Sequence, residues 1–170
     1  MIALAKISKP GKDEYPDYSQ IYMDLLKDDD LILEYLYQNF FKVKHFICSL
    51  SPEMLTHRYA EGKWTIKEIL VHLIDDERIF AYRALRYARN DDTLLNGFDQ
   101  DLYAANSNAN DRSLESIFKE YETVRRSTLA LFQNLPDESL IKRGALLISM
   151  EMLVMKERFG HCYTISPGMS

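Results

Sequence analysis

The sequence predicts an all-α protein folded as a four-helix bundle, and three observations lead to this prediction. Apolar residues recur at helical spacing in several separate stretches. No stretch alternates β-branched and polar residues for long enough to form a strand. The length of 170 residues and the hydrophobic fraction of 46% suit one globular domain, residues 1–170, with a single core. Four helices joined by long and short connections are most simply arranged as a bundle.

The first predicted helix covers residues 30–49. Three aspartates at positions 28–30 suit a helix N-terminus, because carboxylates favour the exposed backbone N–H groups there. Apolar residues such as Leu33 and Phe40 then follow at helical spacing. Residues 1–28 contain two prolines and a glycine, so we expect an irregular lead-in that lies on the bundle.

The second predicted helix begins at Thr65 and runs to about Arg89. Thr65 and Glu68 have the spacing of a capping box, in which the threonine oxygen and the glutamate carboxylate each accept from a backbone N–H that the helix leaves exposed. No proline or glycine follows before Gly97, so nothing interrupts this helix.

The second half of the chain predicts a long loop, a third helix and an atypical end. Residues 90–112 are rich in Asn and Asp, and loops of this length commonly have a function. Ser113 is placed to cap a third helix that reaches about Asn134. Residues 145–170 are predicted to form an unusual last helix and tail, with the helix in the apolar part, residues 146–158.

The composition argues against several classes of protein. The net charge of -5 repels a phosphate backbone, which argues against a nucleic-acid partner. The two cysteines, Cys48 and Cys162, are far apart and indicate free thiols rather than a disulfide framework. No apolar run approaches the roughly 18 residues of a membrane span. We therefore predict a cytoplasmic protein with no membrane partner.

His72 is the residue most suited to chemistry. It lies in the middle of the second predicted helix and shares a face with Asp75, Asp76, Ile79 and Arg83. An imidazole that faces a bundle interior can bind a metal ion through one nitrogen while a carboxylate holds the other nitrogen. The plainer interpretation is a core histidine hydrogen-bonded to a carboxylate. Spacing alone favours this second interpretation, because a single histidine is a weak signal.

Two other histidines and the only tryptophan suggest structural roles. His45 follows lysines on the first predicted helix and His57 precedes an arginine in a turn, so both are predicted on the surface. Trp64 comes directly before the capping box. It can fix the entry of the chain into the second helix as a hydrophobic staple, which we favour, or form the wall of a pocket.

The central part of the chain resembles a known family. Residues 59–68 (YAEGKWTIKE), 72–78 (HLIDDER), 82–89 (YRALRYAR) and 97–103 (GFDQDLY) are similar to the DinB-like (DinB/YfiT) superfamily, as is the third helix with Arg125. The resemblance covers roughly residues 14 to 144. So many matches in the same order make it specific.

The resemblance implies a four-helix bundle that holds a divalent metal ion, zinc or nickel, through three histidines. One of them matches His72, and the other two belong to a Gly-His-Glu-x-His-His type of motif on the last helix. Three imidazoles leave a metal position open for water or a thiolate. Characterised relatives include thiol S-transferases. Under this hypothesis Asp75 or Asp76 supports His72 and Arg83 binds a substrate carboxylate.

The end of the chain departs from the family after Gly144. The pair Gly160 and His161 matches the start of the motif, but Ile165 stands where a histidine is expected. Two neutral ligands would hold zinc poorly compared with three or four. We therefore expect weak or absent metal binding and catalysis in the chain as written.

A frameshift near residues 144–148 would explain this departure. When residues 159–170 are back-translated and read in a shifted frame, the permitted sequences include VRALLYHIAGHE, which resembles the last helix of the family. Met169 would then stand where a ligand histidine stood. Sequencing of the source gene tests the hypothesis, and an uninterrupted frame with the same tail in close relatives would refute it.

Two functions follow from these residues. The first is a metal-dependent enzyme that takes a small thiol as substrate, since a metal ion lowers the pKa of a bound thiol. The second is a non-catalytic bundle that acts through protein contacts as a homodimer. The lead-in carries the tyrosines Tyr15, Tyr18 and Tyr22, a residue type that is common at interfaces.

Overall fold

The computed structural model describes residues 4–140, apart from residues 14, 16, 18, 19 and 25. This part of the chain is helical and contains no β-strand, only an isolated bridge between Ile7 and Leu31. The prediction of an all-α protein is therefore confirmed. The helices are α1 (Gln20–Met23), α2 (Ile32–Cys48), α3 (Pro52–Thr56), α4 (Ile66–Ala88), α5 (Gln100–Ala105), α6 (Leu114–Gln133) and α7 (Asp137–Leu140), with a 3-10 turn at Ala109–Asp111.

The long helices α2, α4 and α6 correspond to the three that the sequence predicts. The Thr65 hydroxyl accepts a hydrogen bond from the Glu68 backbone N–H at 3.1 Å, and the Glu68 carboxylate accepts from the Thr65 N–H at 2.7 Å. The predicted capping box is thus present at the start of α4. At the start of α6, Ser113 caps the helix by accepting from the Ser116 N–H at 3.1 Å.

Three local predictions differ from the structure or lie outside it. The aspartates at positions 28–30 do not cap α2; Asp29 instead accepts from the Leu31 N–H at 3.2 Å in the turn before the helix. The predicted loop of residues 90–112 contains α5, which Asp99 caps. The fourth predicted helix, residues 146–158, falls outside the described residues.

Helices α4 and α6 run parallel, and α2 runs antiparallel to both. Glu77 of α4 pairs with Arg125 of α6 at 2.8 Å, and Lys67, earlier in α4, donates to the Arg112 carbonyl just before α6. In contrast, Leu36 early in α2 accepts from Arg125, whereas later residues of α2 contact earlier residues of α6. Because α4 and α6 are parallel, the chain must run back along the length of α4 before α6 begins.

Residues 89–113 form this return connection, which we call the crossover. At one end of α4, Arg86 pairs with Asp91 at 2.6 Å. At the other end, the Asn110 side chain donates to the Glu68 carboxylate at 3.0 Å. The crossover therefore lies against α4 along the length of that helix and can cover side chains on one of its faces.

The core consists of two groups of buried apolar residues. One lies between α2, α4 and the start of α6 and is centred on residues such as Phe40, Ile74 and Ile117. The other joins the opposite end of the long helices and includes Ile7 and Met23 from the lead-in. The lead-in thus lies on the bundle and contributes to its core. None of the helices within residues 4–140 is both long enough and apolar enough to cross a membrane.

Candidate metal site

His72 lies on the second turn of α4 and is buried, with 8% of its surface exposed. Asp76, one helical turn later, is 2% exposed. The Nε2 atom of His72 lies 3.2 Å from the Oδ2 atom of Asp76. The i, i+4 spacing accounts for this contact, because side chains so spaced lie above one another on a helix. We call these two residues the His72–Asp76 pair.

The ring of Trp64 contacts His72 edge-on, with centroids 4.7 Å apart and planes inclined at 65°. Its indole N–H donates to the Asp101 carboxylate of α5 at 3.0 Å. Trp64 therefore lies against one side of the His72 ring, and its hydrogen bond to Asp101 ties it to the crossover.

Asp75 contacts a different residue, Arg78, on another side of α4. Its carboxylate accepts from Arg78 at 3.3 Å, and 28% of its side chain is exposed. Burial raises the pKa of Asp75, and the positive charge of Arg78 offsets this only in part. Of the two carboxylates that the sequence offers as partners, only Asp76 is placed against His72.

Arg83 also lies away from His72, although the two share a face of α4. Eleven residues of helix separate them, a rise of about 16 Å. The Arg83 guanidinium donates to the Asn96 carbonyl at 3.1 Å and lies 5.3 Å from the ring centre of Phe80. It therefore holds the crossover against α4, and its role in binding a substrate carboxylate stays a prediction.

The other candidate residues do not converge on His72. His45 and His57 are exposed, as their surroundings in the sequence predict, and Cys48 is an exposed free thiol. Within residues 4–140, no three His, Cys, Asp or Glu side chains come together in a group that could hold a metal ion. His161 and Met169 lie outside the described residues.

The sequence pattern did not reveal the contacts between residues that are far apart along the chain. The partner of Trp64 is Asp101, and the partners of Glu68 include Arg58 at 2.6 Å and Asn110 at 3.0 Å. No local signal marks these pairs, and those with Asp101 and Asn110 depend on the path of the crossover. The GKW sequence before the capping box was the one available clue to an ordered entry into α4.

The chemistry of the His72–Asp76 pair fits part of a metal site. An imidazole nitrogen and a carboxylate oxygen are both ligands that zinc accepts. A catalytic zinc site commonly has three protein ligands, so His72 would supply one of them while Asp76 holds its Nε2 atom. The other positions would be filled by further side chains, water or substrate.

Comparison with known proteins identifies the family. The model of the DinB superfamily matches residues 36–147, which is more than half of the chain and includes most of α2 and all of α4 and α6. The chain belongs to the DinB superfamily. Its all-α architecture is that of a DinB-like bundle, as the sequence predicts. The match ends within the region, residues 144–148, where the sequence departs from the family, and the frameshift stays a prediction.

A relative of this DinB-type chain is a protein of Oceanobacillus iheyensis named "putative metal-dependent hydrolase". The two are 32% identical over 93 residues, which is 54% of this chain and 53% of the relative. The chain therefore spans about half the length of the curated relative that it matches. No solved structure matches the sequence.

Proposed function

We propose that this protein is a metal-dependent member of the DinB superfamily and that His72 binds its divalent ion, zinc or nickel. The observation that carries the proposal is the buried contact between His72 and Asp76 on α4, at 3.2 Å. Family membership and the name of the Oceanobacillus relative support it. We further propose that the protein acts in the cytoplasm, where a thiol such as Cys48 stays reduced.

The residues around His72 would prepare the site for hydrolysis or for transfer of a small thiol. A bound divalent ion supplies a Lewis acid that lowers the pKa of a water or thiol on it. Asp76 fixes the orientation of the imidazole ring by its contact with Nε2. Trp64 excludes water from one side of the ring, and Asp101 holds Trp64 in that position.

The number of ligands sets the expected affinity. A site with two protein ligands binds zinc less tightly than one with three or four, because water must fill the remaining positions. Beyond residue 140 the sequence offers Glu151, Glu157, His161 and Cys162 as further ligand types. We therefore expect binding that is weaker than that of a three-histidine relative.

Calorimetric titration with zinc and with nickel tests the proposal. The wild-type protein should bind one ion, and His72→Ala should abolish binding because it removes the imidazole. His45→Ala is the matched control, since it removes an exposed histidine from another long helix. Binding of one ion that persists in His72→Ala would refute the proposal.

A second candidate function is a non-catalytic bundle that forms a homodimer. It is favoured by the absence of a three-ligand group within residues 4–140 and by the exposed rings of Tyr37, Phe41 and Phe46 on α2. Tyr15 of the lead-in already donates to Gln20 within the same chain, at 3.1 Å. Light scattering on the same samples separates the candidates, since a metal-free dimer would favour the second.

A further inference from the structure

We propose that helix α5 is a lid over one side of the His72 imidazole, and that the hydrogen bond from Trp64 to Asp101, which we call the latch, keeps it closed. This inference rests on the proposed function, because it concerns how an ion or a substrate reaches His72. It goes beyond the ligand role of His72, since it assigns a function to the crossover.

Trp64 contacts both His72 and the crossover. Its ring meets the imidazole edge-on, with centroids 4.7 Å apart. Its indole N–H donates to the carboxylate of Asp101 at 3.0 Å, 37 residues later in the chain. Because Trp64 covers one side of the imidazole and α5 holds Trp64, an approach to the ring from this side requires both of them to move.

Helix α5 is attached to the bundle more weakly than the long helices are. Of its six residues only Ala104 is buried, whereas Leu102 and Tyr103 expose 58% and 44% of their surface. A helix of this length is not stable by itself, since isolated helices shorter than about 12–15 residues are marginal in water. Segments with few buried apolar contacts open locally at a low cost in free energy. Helix α5 therefore has the properties of an element that opens and closes.

The crossover is fixed on both sides of α5. Before α5, the guanidinium of Arg83 donates to the Asn96 carbonyl at 3.1 Å. After α5, the side chain of Asn110 donates to the Glu68 carboxylate at 3.0 Å. Both anchors are side chains of α4, so α5 can move away from Trp64 while the rest of the crossover stays in place.

Two residues between α5 and these anchors are suited to act as hinges. Gly97 follows Asn96 directly, and apart from its chain neighbours no atom lies within 4 Å of the position that a Cβ would occupy there. Asn108 has a left-handed backbone, with φ 53°, and lies between α5 and the 3-10 turn at Ala109–Asp111. Hinges are commonly a few loop residues at the ends of elements, which absorb a change in backbone dihedral angles. Changes at these two positions would move α5 as a unit.

Modification of the metal-free protein with diethyl pyrocarbonate, which acylates accessible imidazoles, measures access to His72. Mass spectrometry of peptides gives the rate at each histidine, so the exposed His45 is an internal reference. Asp101→Ala removes the latch and should increase the rate at His72 relative to His45 about fivefold, the change in an equilibrium constant that the net loss of one hydrogen bond produces. Asp101→Asn should stay within about twofold of the wild type, because its amide oxygen can accept the same bond. Asp92→Ala is the matched control, since it removes another exposed carboxylate of the crossover.

The emission of Trp64, the only tryptophan, reports on the latch in the same samples. Quenching by acrylamide should increase in Asp101→Ala and return to the wild-type value in Asp101→Asn. Equal rates at His72 in the wild type and Asp101→Ala, or an Asp101→Asn protein as reactive as Asp101→Ala, would overturn the lid. Either result would leave the proposed function intact, because zinc binding is measured separately. A wild-type protein that binds no ion would refute the proposed function, while the modification rates would still decide whether α5 covers His72.

Discussion

At the scale of single residues, the sequence pattern could not predict whether Asp75 or Asp76 contacts His72. Both carboxylates lie within one turn of His72, so helical spacing allows either to contact it. The structure turns Asp75 toward Arg78 and Asp76 toward His72. This rotation of α4 follows from its packing against α6 and the crossover, which no local pattern encodes. The sequence therefore predicted the face of α4 but not the partner of the imidazole.

Trp64 provides a spectroscopic test at this same scale. It is the only tryptophan, and its ring lies 4.7 Å from that of His72. Nickel or cobalt bound at His72 should therefore quench the tryptophan emission strongly, because these ions quench excited states at short range. Fluorescence titration measures the effect, and His45→Ala should behave as the wild type. Equal quenching in His72→Ala would contradict this placement of the ion.

At the scale of elements, the ends of α4 and α6 were predicted well because their signals are local. Thr65, Glu68 and Ser113 each act within three residues, so spacing alone identifies them. The short helix α5 was missed because six residues give too little periodicity, and its contacts with α4 and Trp64 stabilise it. Local capping is readable from sequence, whereas a short helix that depends on tertiary contacts is not.

The capping box at the start of α4 predicts a pH dependence of stability. Burial alone would raise the pKa of Glu68, but hydrogen bonds from the Thr65 N–H and from Arg58 outweigh it and lower the pKa below the ordinary value of 4.5. A group with a lowered folded pKa stabilises the protein above its unfolded pKa and loses this effect as the pH falls through the folded value. The carboxylate should thus contribute fully at neutral pH and lose its contribution in acid below about pH 4.5.

Urea unfolding of wild type and Glu68→Gln at several pH values measures this contribution. At pH 7 the variant should be less stable by about 1 kcal/mol, because the neutral amide can still accept from the Thr65 N–H but loses the charge-assisted contact with Arg58. The difference should shrink once the pH falls below the pKa of Glu68, because the wild-type side chain then becomes neutral too. Glu61→Gln, a change at an exposed carboxylate before the helix, is the control. A difference that does not vary with pH would contradict the electrostatic explanation.

At the scale of the whole molecule, one buried ion pair joins the three long helices. Arg125 of α6 donates to both carboxylate oxygens of Glu77 on α4 at 2.8 Å, to the Leu36 carbonyl of α2 and to Tyr121. Both charged side chains are almost fully buried. Glu77 directly follows Asp76, so this contact also sets the rotation of α4 that turns the His72–Asp76 pair away from Arg78. The sequence identified Arg125 by resemblance alone, since its partner lies 48 residues away.

Removal of one charge from this pair should destabilise the whole bundle. Arg125→Met leaves the Glu77 carboxylate buried without its guanidinium, and such changes cost about 3–5 kcal/mol. The double variant Glu77→Met with Arg125→Met removes both charges and should recover most of that loss, because apolar side chains of similar size replace a desolvated pair. Arg126→Met, which removes the exposed partner of Glu122 one residue further along α6, should change stability by less than about 1 kcal/mol. Urea unfolding of the three variants measures these differences. If Arg125→Met were no less stable than Arg126→Met, the ion pair would not join the helices in the way the structure indicates.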